Sequence, residues 1–334
     1  IALISAIMGI GGGLGIVLAG PIVQHLSYHW LFWFPLVGIV VATVGVVVSV
    51  PESPVRSPGR VDWRGALLLA GWLVALLLGV TEGPAWGWAS PRVIGLFAAS
   101  AAILAVWLRV ESRVRDPLVD LAMMRRRPVW TTNLVALVFG FGMFSSFVLV
   151  PEFVELPAST GYGFGATVTG AGLFLLPASV AMLLAAPLAG RLSSSVGSRL
   201  PLVLGALISS VAFAMLAVAH DSGWEIYLAL FVMGSGIGLA FASMANLIVE
   251  SVRPEQTGVA TGMNTIVRSV GGAIGSQVSA GIVTASAVAG GLPTVDGFTL
   301  AFAVSAGALL VAFVVALAVP RPGRVRAAPL AEAL

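Results

Sequence analysis

The chain has no cysteine and no lysine, and only 9% of its 334 residues are charged. Without cysteine, disulfides and thiolate metal sites are excluded. Soluble domains carry about 25% charged residues. With 58% hydrophobic residues, this chain would expose large apolar patches in water and aggregate. No ATP-binding motif occurs. No period-two alternation is long enough for an outer-membrane barrel. The sequence opens Ile1-Ala2-Leu3-Ile4, inside an apolar run and without methionine. No charged region or small-residue cleavage site precedes that run, so it is not a signal peptide. The expectation is that an N-terminal part is missing.

What remains is glycine, arginine and long apolar runs. The 40 glycines sit inside those runs, where transmembrane helices pack closely. A spanning helix needs roughly 20 mostly apolar residues. Ten segments qualify: 1–24, 31–50, 65–81, 92–109, 129–151, 166–190, 200–219, 225–248, 257–287 and 298–319. Turn or charged sequence separates each pair. If alternate loops lie on alternate sides, 15 arginines fall on one side, only Arg92 on the other, and Arg268 within a span. The arginine-rich side is expected to be cytoplasmic, and so is the C-terminus. A basic balance can also suggest nucleic acid. Here the arginines are short clusters between apolar runs, so they read as topology determinants.

The first span contains Gly9, Gly11, Gly13, Gly15, Gly20 and Pro21. Small residues at this spacing let another helix approach, and a proline permits a kink. The stretch reads either as tight packing alone or as a close-packed helix at a moving interface. Span 257–287 is amphipathic. Val259, Met263, Ile266, Val267 and Val270 recur at helical spacing. Opposite them runs a polar stripe of Thr261, Asn264, Thr265, Arg268, Gly272, Gly275, Ser276 and Ser279. That stripe suits a polar cavity. Arg268 lies about 16 Å along the helix, at 1.5 Å per residue, and should face protein or water with a partner. The other reading is snorkelling to the surface.

No acidic residue lies near the middle of a span. Glu152 and Glu155 end span 129–151 and read either as titrating groups at a cavity mouth or as a solvated helix end. His25 and His29 have metal spacing but no third ligand nearby. No metal site or cofactor is expected. Gly234-Ser235-Gly236-Ile237-Gly238 follows no strand, so it reads as helix packing and not as a dinucleotide site.

Several stretches resemble the major facilitator superfamily, and its 14-helix drug–proton antiporter branch in particular. Gly15 to Gly20-Pro21 looks like the antiporter motif of the fifth helix, with Gln24-His25 where that motif has a glycine pair. His29-Trp30-Leu31-Phe32-Trp33-Phe34-Pro35 resembles the entry to helix six. Asp62-Trp63-x-Gly65 with Thr81-Glu82-Gly83-Pro84-Ala85-Trp86-Gly87-Trp88 resembles the hairpin of the two extra helices. The stretch from Glu111 to Leu121 resembles the segment leading to the C-terminal bundle. Gly190-Arg191-Leu192-Ser193-Ser194-Ser195-Val196-Gly197-Ser198-Arg199 resembles the cytoplasmic gating loop, with Ser194 where the family has aspartate.

The resemblance implies an all-α polytopic membrane protein with about ten transmembrane helices, equivalent to helices 5–14. Residues 1–50 would end the N-terminal bundle, 51–128 would form the two-helix insert and linker, and 129–334 would form the C-terminal six-helix bundle and tail. It also implies a monomeric secondary transporter in the cell membrane. Such a transporter exports lipophilic or cationic drugs by proton antiport with alternating access, driven by the proton gradient and without a cofactor. The alternatives are a non-transporting scaffold or sensor and a membrane-embedded lipid-modifying enzyme. For an enzyme, no convincing acid pair, metal-ligand set or nucleophile–base pair is evident.

Overall fold

A computed structural model of the chain describes residue 15 and residues 18–51, 62–114, 117–287 and 291–320. Among these residues all regular structure is helical. Nine helices are long and apolar enough to cross a membrane. We label them α1 (Trp30–Ser49), α2 (Trp63–Trp86), α3 (Pro91–Glu111), α4 (Arg127–Glu155), α5 (Val168–Val196), α6 (Arg199–Val218), α7 (Gly223–Ser251), α8 (Thr257–Ala285) and α9 (Val295–Ala318). The expected first span, 1–24, lies mostly outside the described residues. Residues 18–25 are helical.

The later nine segments all form helices, and several run longer than their apolar cores. α2 continues to Trp86, α4 to Glu155 and α5 to Val196. A helix needs backbone hydrogen bonds and not apolar side chains, so it persists beyond the hydrocarbon. A helix of 29 residues, such as α4, α5, α7 or α8, is about 44 Å long. That length crosses the core, roughly 30 Å thick, and both headgroup layers.

Local sequence sets the helix starts. Asp62 accepts the Gly65 amide at 2.9 Å, Ser90 the Val93 amide at 3.3 Å and Thr167 the Gly170 amide at 3.2 Å. Ser222 and Glu225 form a reciprocal capping box on α7. Each cap satisfies backbone N–H groups that a helix start leaves without partners.

Helices α4 to α9 pack on one another. α4 lies against α8, α9, α7 and α5, and α7 lies between α5 and α6. The shared core includes Phe139, Phe153, Phe213, Phe298 and Phe302, all essentially buried. Helices α2 and α3 form a hairpin, and α2 also touches α8. No residue of α1 is buried.

Glycine sets the closest approaches. A Cβ on Gly234 would strike the carbonyl of Ala178, and one on Gly238 would meet Met182 and Ala185, all in α5. Gly236 instead presses on Gly205 and Ser209 of α6. The Gly-Ser-Gly-Ile-Gly stretch is therefore a two-sided packing surface, with alternate glycines serving different neighbours.

Candidate functional site

The tightest seam joins α8 to α4. A Cβ on Gly271 would run into the carbonyl oxygen of Leu137, and one on Gly275 into that of Phe141. Gly272 lies against the Phe144 ring. From the other side, Gly140 lies on the backbone carbonyl of Arg268. Backbone meets backbone here, which only glycine permits. Gly272 and Gly275, expected on a cavity-facing stripe, instead face this helix interface. Helical periodicity groups them on one face but does not say what that face meets.

Polar side chains continue the seam at both ends. Asn264 Nδ2 donates to Asn133 Oδ1 at 2.8 Å, and both residues are buried. Ser279 Oγ donates to Ser145 Oγ at 2.9 Å, also buried. In an apolar surround, removing one amide leaves its partner without a bond, at a cost of about 1–3 kcal/mol. We expect Asn264→Ala to lower thermal stability in detergent, and Asn133→Ala/Asn264→Ala to cost less than the sum of the singles. An additive double variant would show that the amides act separately.

Arg268 is only 8% exposed. Its guanidinium carbon stands 4.1 Å from the ring centroid of Phe241 on α7. Its Nη2 donates weakly to Thr265 Oγ1 at 3.5 Å. A desolvated guanidinium over an aromatic face is a stabilising cation–π contact, worth about 2 kcal/mol or more. The partner expected from the sequence is thus an aromatic ring. Arg268 does not snorkel. Of the remaining stripe, Thr261 and Ser276 are half-buried and Thr265 is exposed.

Gly20 is buried and helical. A Cβ there would lie 2.5 Å from Thr169 Cα at the start of α5. The glycine–proline stretch therefore touches α5 directly through Gly20. Pro21 is exposed in the same helical stretch. Gly15 is exposed, with nothing within 4 Å of its would-be Cβ. Gly9, Gly11 and Gly13 lie outside the described residues. We expect Gly20→Leu to lower thermal stability in detergent, because the side chain displaces α5. An unchanged melting curve would remove the contact.

The expected gating loop is mostly helix. Gly190 and Arg191 lie within the last two turns of α5. The turn itself is confined to Gly197, at φ 90°, and Ser198. This corrects the loop reading. Glycine and arginine in an apolar flank mark a membrane exit, but neither ends a helix by itself. Ser194, where the resembled motif has aspartate, donates to the Arg191 carbonyl at 2.8 Å. Arg199 donates through Nη2 to the Leu317 carbonyl in the last turn of α9. A cation at a helix C-terminus is favourable. The carboxylate at this end comes from Glu250, whose Oε1 accepts from Ser198 Oγ at 2.9 Å. Sequence spacing gave no signal for that pairing.

Glu152 is half-buried and Glu155 exposed, both in the final turn of α4. Near them, Phe153 is the hub of an aromatic cluster with Tyr162, Phe164, Phe298 and Phe302. Buried His220 joins it edge-on to Phe153 at 5.4 Å, its Nδ1 2.8 Å from the Leu216 carbonyl. Among the described residues no three His, Asp or Glu side chains converge as metal ligands. His29 Nδ1 is 2.7 Å from Ser27 Oγ.

The comparisons with known proteins agree in direction. The tetracenomycin C resistance and export protein of Streptomyces glaucescens is 29% identical over 287 residues, covering 85% of this chain and 52% of that protein. The tetracycline resistance determinant of Streptomyces rimosus is 32% identical over 232 residues, covering 68% of this chain and 65% of that protein. The multidrug transporter protein MdtP of Bacillus subtilis is 24% identical, covering 84% and 51%. The chain spans about half the length of such curated relatives. A crystal structure of a variant of nucleoside transporter NupG aligns over 95% of this chain and 83% of that one, with a TM-score of 0.52 and 16% identity, a likeness of fold alone. The family model described as the Major Facilitator Superfamily matches residues 1–276. The chain therefore belongs to the Major Facilitator Superfamily, a family of membrane transporters and not of enzymes.

Proposed function

We propose that the protein exports lipophilic or cationic drugs across the cell membrane by proton antiport. Two helical bundles would open a central site alternately to each side. Residues 1–50 end the first bundle, 51–128 form a two-helix insert and linker, and 129–334 form the second bundle and a tail. The protein acts as a monomer. It uses the proton gradient and no cofactor.

The observation that carries this reading is Arg268, a guanidinium buried within a span. Such a charge is costly in a membrane and is characteristic of a substrate or ion pathway. Relatives named for antibiotic or multidrug resistance support the drug class. Protons enter as the driving ion through the resemblance of Gly15, Gly20 and Pro21 to an antiporter motif. In sealed vesicles carrying the full-length protein, adding a transported drug should release protons in the opposite direction. Drug movement with no proton movement would refute the antiport.

The orientation has its own test. These 334 residues contain no cysteine, so in a full-length protein cleared of any other cysteine single introduced thiols report sidedness. Ser195→Cys, at the arginine-rich end, should react with an impermeant maleimide only from the cytoplasm. Ser159→Cys, beyond α4, should react only from outside. The reverse pattern would invert the topology.

A further inference from the structure

Arg268 sits near the middle of α8 with 8% of its surface exposed. Its stem leaves α8 along Gly140 of α4, where a Cβ would stand 3.0 Å from the arginine Cγ. Its guanidinium ends over the Phe241 ring of α7. Three helices therefore meet at this one side chain. A guanidinium has five N–H donors and no acceptor. Here one of them reaches the Thr265 hydroxyl, at 3.5 Å. The others have no acceptor among the described residues, and the packing does not seal them in.

The polar groups around it are engaged elsewhere. Asn264 donates to Asn133 at 2.8 Å. Thr261 donates to the Thr257 carbonyl at 2.8 Å and Thr265 to the Thr261 carbonyl at 3.1 Å. The acidic side chains of the described helices stand toward helix ends, and among the described residues none acts on Arg268. A charge within a span is costly, and it is retained where a partner supplies acceptors. Phe241 covers one face of the guanidinium plane, so a partner approaches at its edge. A carboxylate fits that edge, because its two oxygens accept two parallel N–H bonds. The Phe241 ring offers the rest of such a compound an apolar wall.

We propose that Arg268 is a carboxylate-binding site, and that the compounds it selects are lipophilic acids. The apolar body lies against Phe241 and the ionised carboxylate takes the guanidinium edge. The proposal rests on the reading of Arg268 as part of the export path and narrows the compounds it serves. A neutral compound of the same shape gains less, because its hydrogen bonds carry no opposing charge. A cation gains nothing, because like charges repel in a medium of low dielectric. Export of cations therefore draws on other parts of the protein. The Asn133–Asn264 bond, one turn from Arg268, holds α8 to α4 and fixes the backbone from which the side chain projects.

The test is equilibrium binding of 2-naphthoate and 2-naphthamide to the full-length protein in nanodiscs, against empty nanodiscs. The two probes share a ring system and differ in charge. The native protein should bind naphthoate at least about tenfold more tightly than naphthamide. Arg268→Gln should remove that preference by weakening naphthoate far more than naphthamide. Arg268→Lys should keep part of it, because the charge stays and the planar fork is lost. Equal affinities in the native protein, or an undiminished preference in either variant, would overturn the site. Displacement of naphthoate by an equal concentration of chloride would overturn the ligand class, marking a site for any small anion. No gradient is imposed, so the result is separate from proton-coupled export. A protein that exports a cation but shows no preference for naphthoate would keep the export reading and reject this one.

Discussion

Replacing Gly271 by leucine is expected to remove the folded protein from the membrane. Its Cβ position coincides with the carbonyl oxygen of Leu137, which belongs to the α4 backbone and cannot rotate away. The two helices must separate, and that separation propagates along the seam. Gly275 loses its fit on Phe141, and the Asn133–Asn264 and Ser145–Ser279 bonds stretch. Overpacking a core by a few carbons typically costs about 1–3 kcal/mol. Here several contacts fail together, so the cost exceeds that range, against a total stability of about 5–15 kcal/mol. Gly262 supplies the control. It is on the same helix, is exposed and has nothing within 4 Å of its would-be Cβ. Gly262→Leu should express and fold normally. Fluorescence-detected size-exclusion chromatography of the two variants decides the matter, and equal monodisperse peaks would contradict the seam.

Arg268→Ala should do the opposite, leaving the fold and removing transport. The substitution empties the space beneath Phe241 and deletes the cation–π contact. It also removes a desolvated charge, whose burial opposes folding. The two effects offset, and the backbone of residue 268 still fits Gly140. We expect near-normal membrane levels and a fall in efflux of at least about tenfold, equivalent to about 1.4 kcal/mol in the transition state. Phe241→Leu should give a smaller loss, because the guanidinium keeps its charge but loses its platform. Full efflux in Arg268→Ala at normal levels would show that the charge has no part in transport.

Much of this architecture is legible in the sequence. Nine helices stand where apolar runs of about twenty residues occur, because a bilayer imposes length directly on the chain. Arg268 was legible for the same reason, as a charge inside a span. Its aromatic partner was not, since Phe241 lies on another helix and carries no polar signal. The α8 stripe shows a second limit. Periodicity placed Gly272 and Gly275 on one face with Asn264 and Arg268, and helix packing then decided that the glycines meet α4. Gly190 and Arg191 looked like a loop because composition changes there, whereas backbone bonding carries the helix on to Val196.

Drug export driven by the proton gradient, as proposed above, is open to a direct test. The most direct measurement is the accumulation of a fluorescent lipophilic cation in cells with and without the full-length protein, before and after a proton uncoupler. Expressing cells should accumulate less, and the uncoupler should erase the difference. Equal accumulation before the uncoupler, or a difference that survives it, would contradict the account.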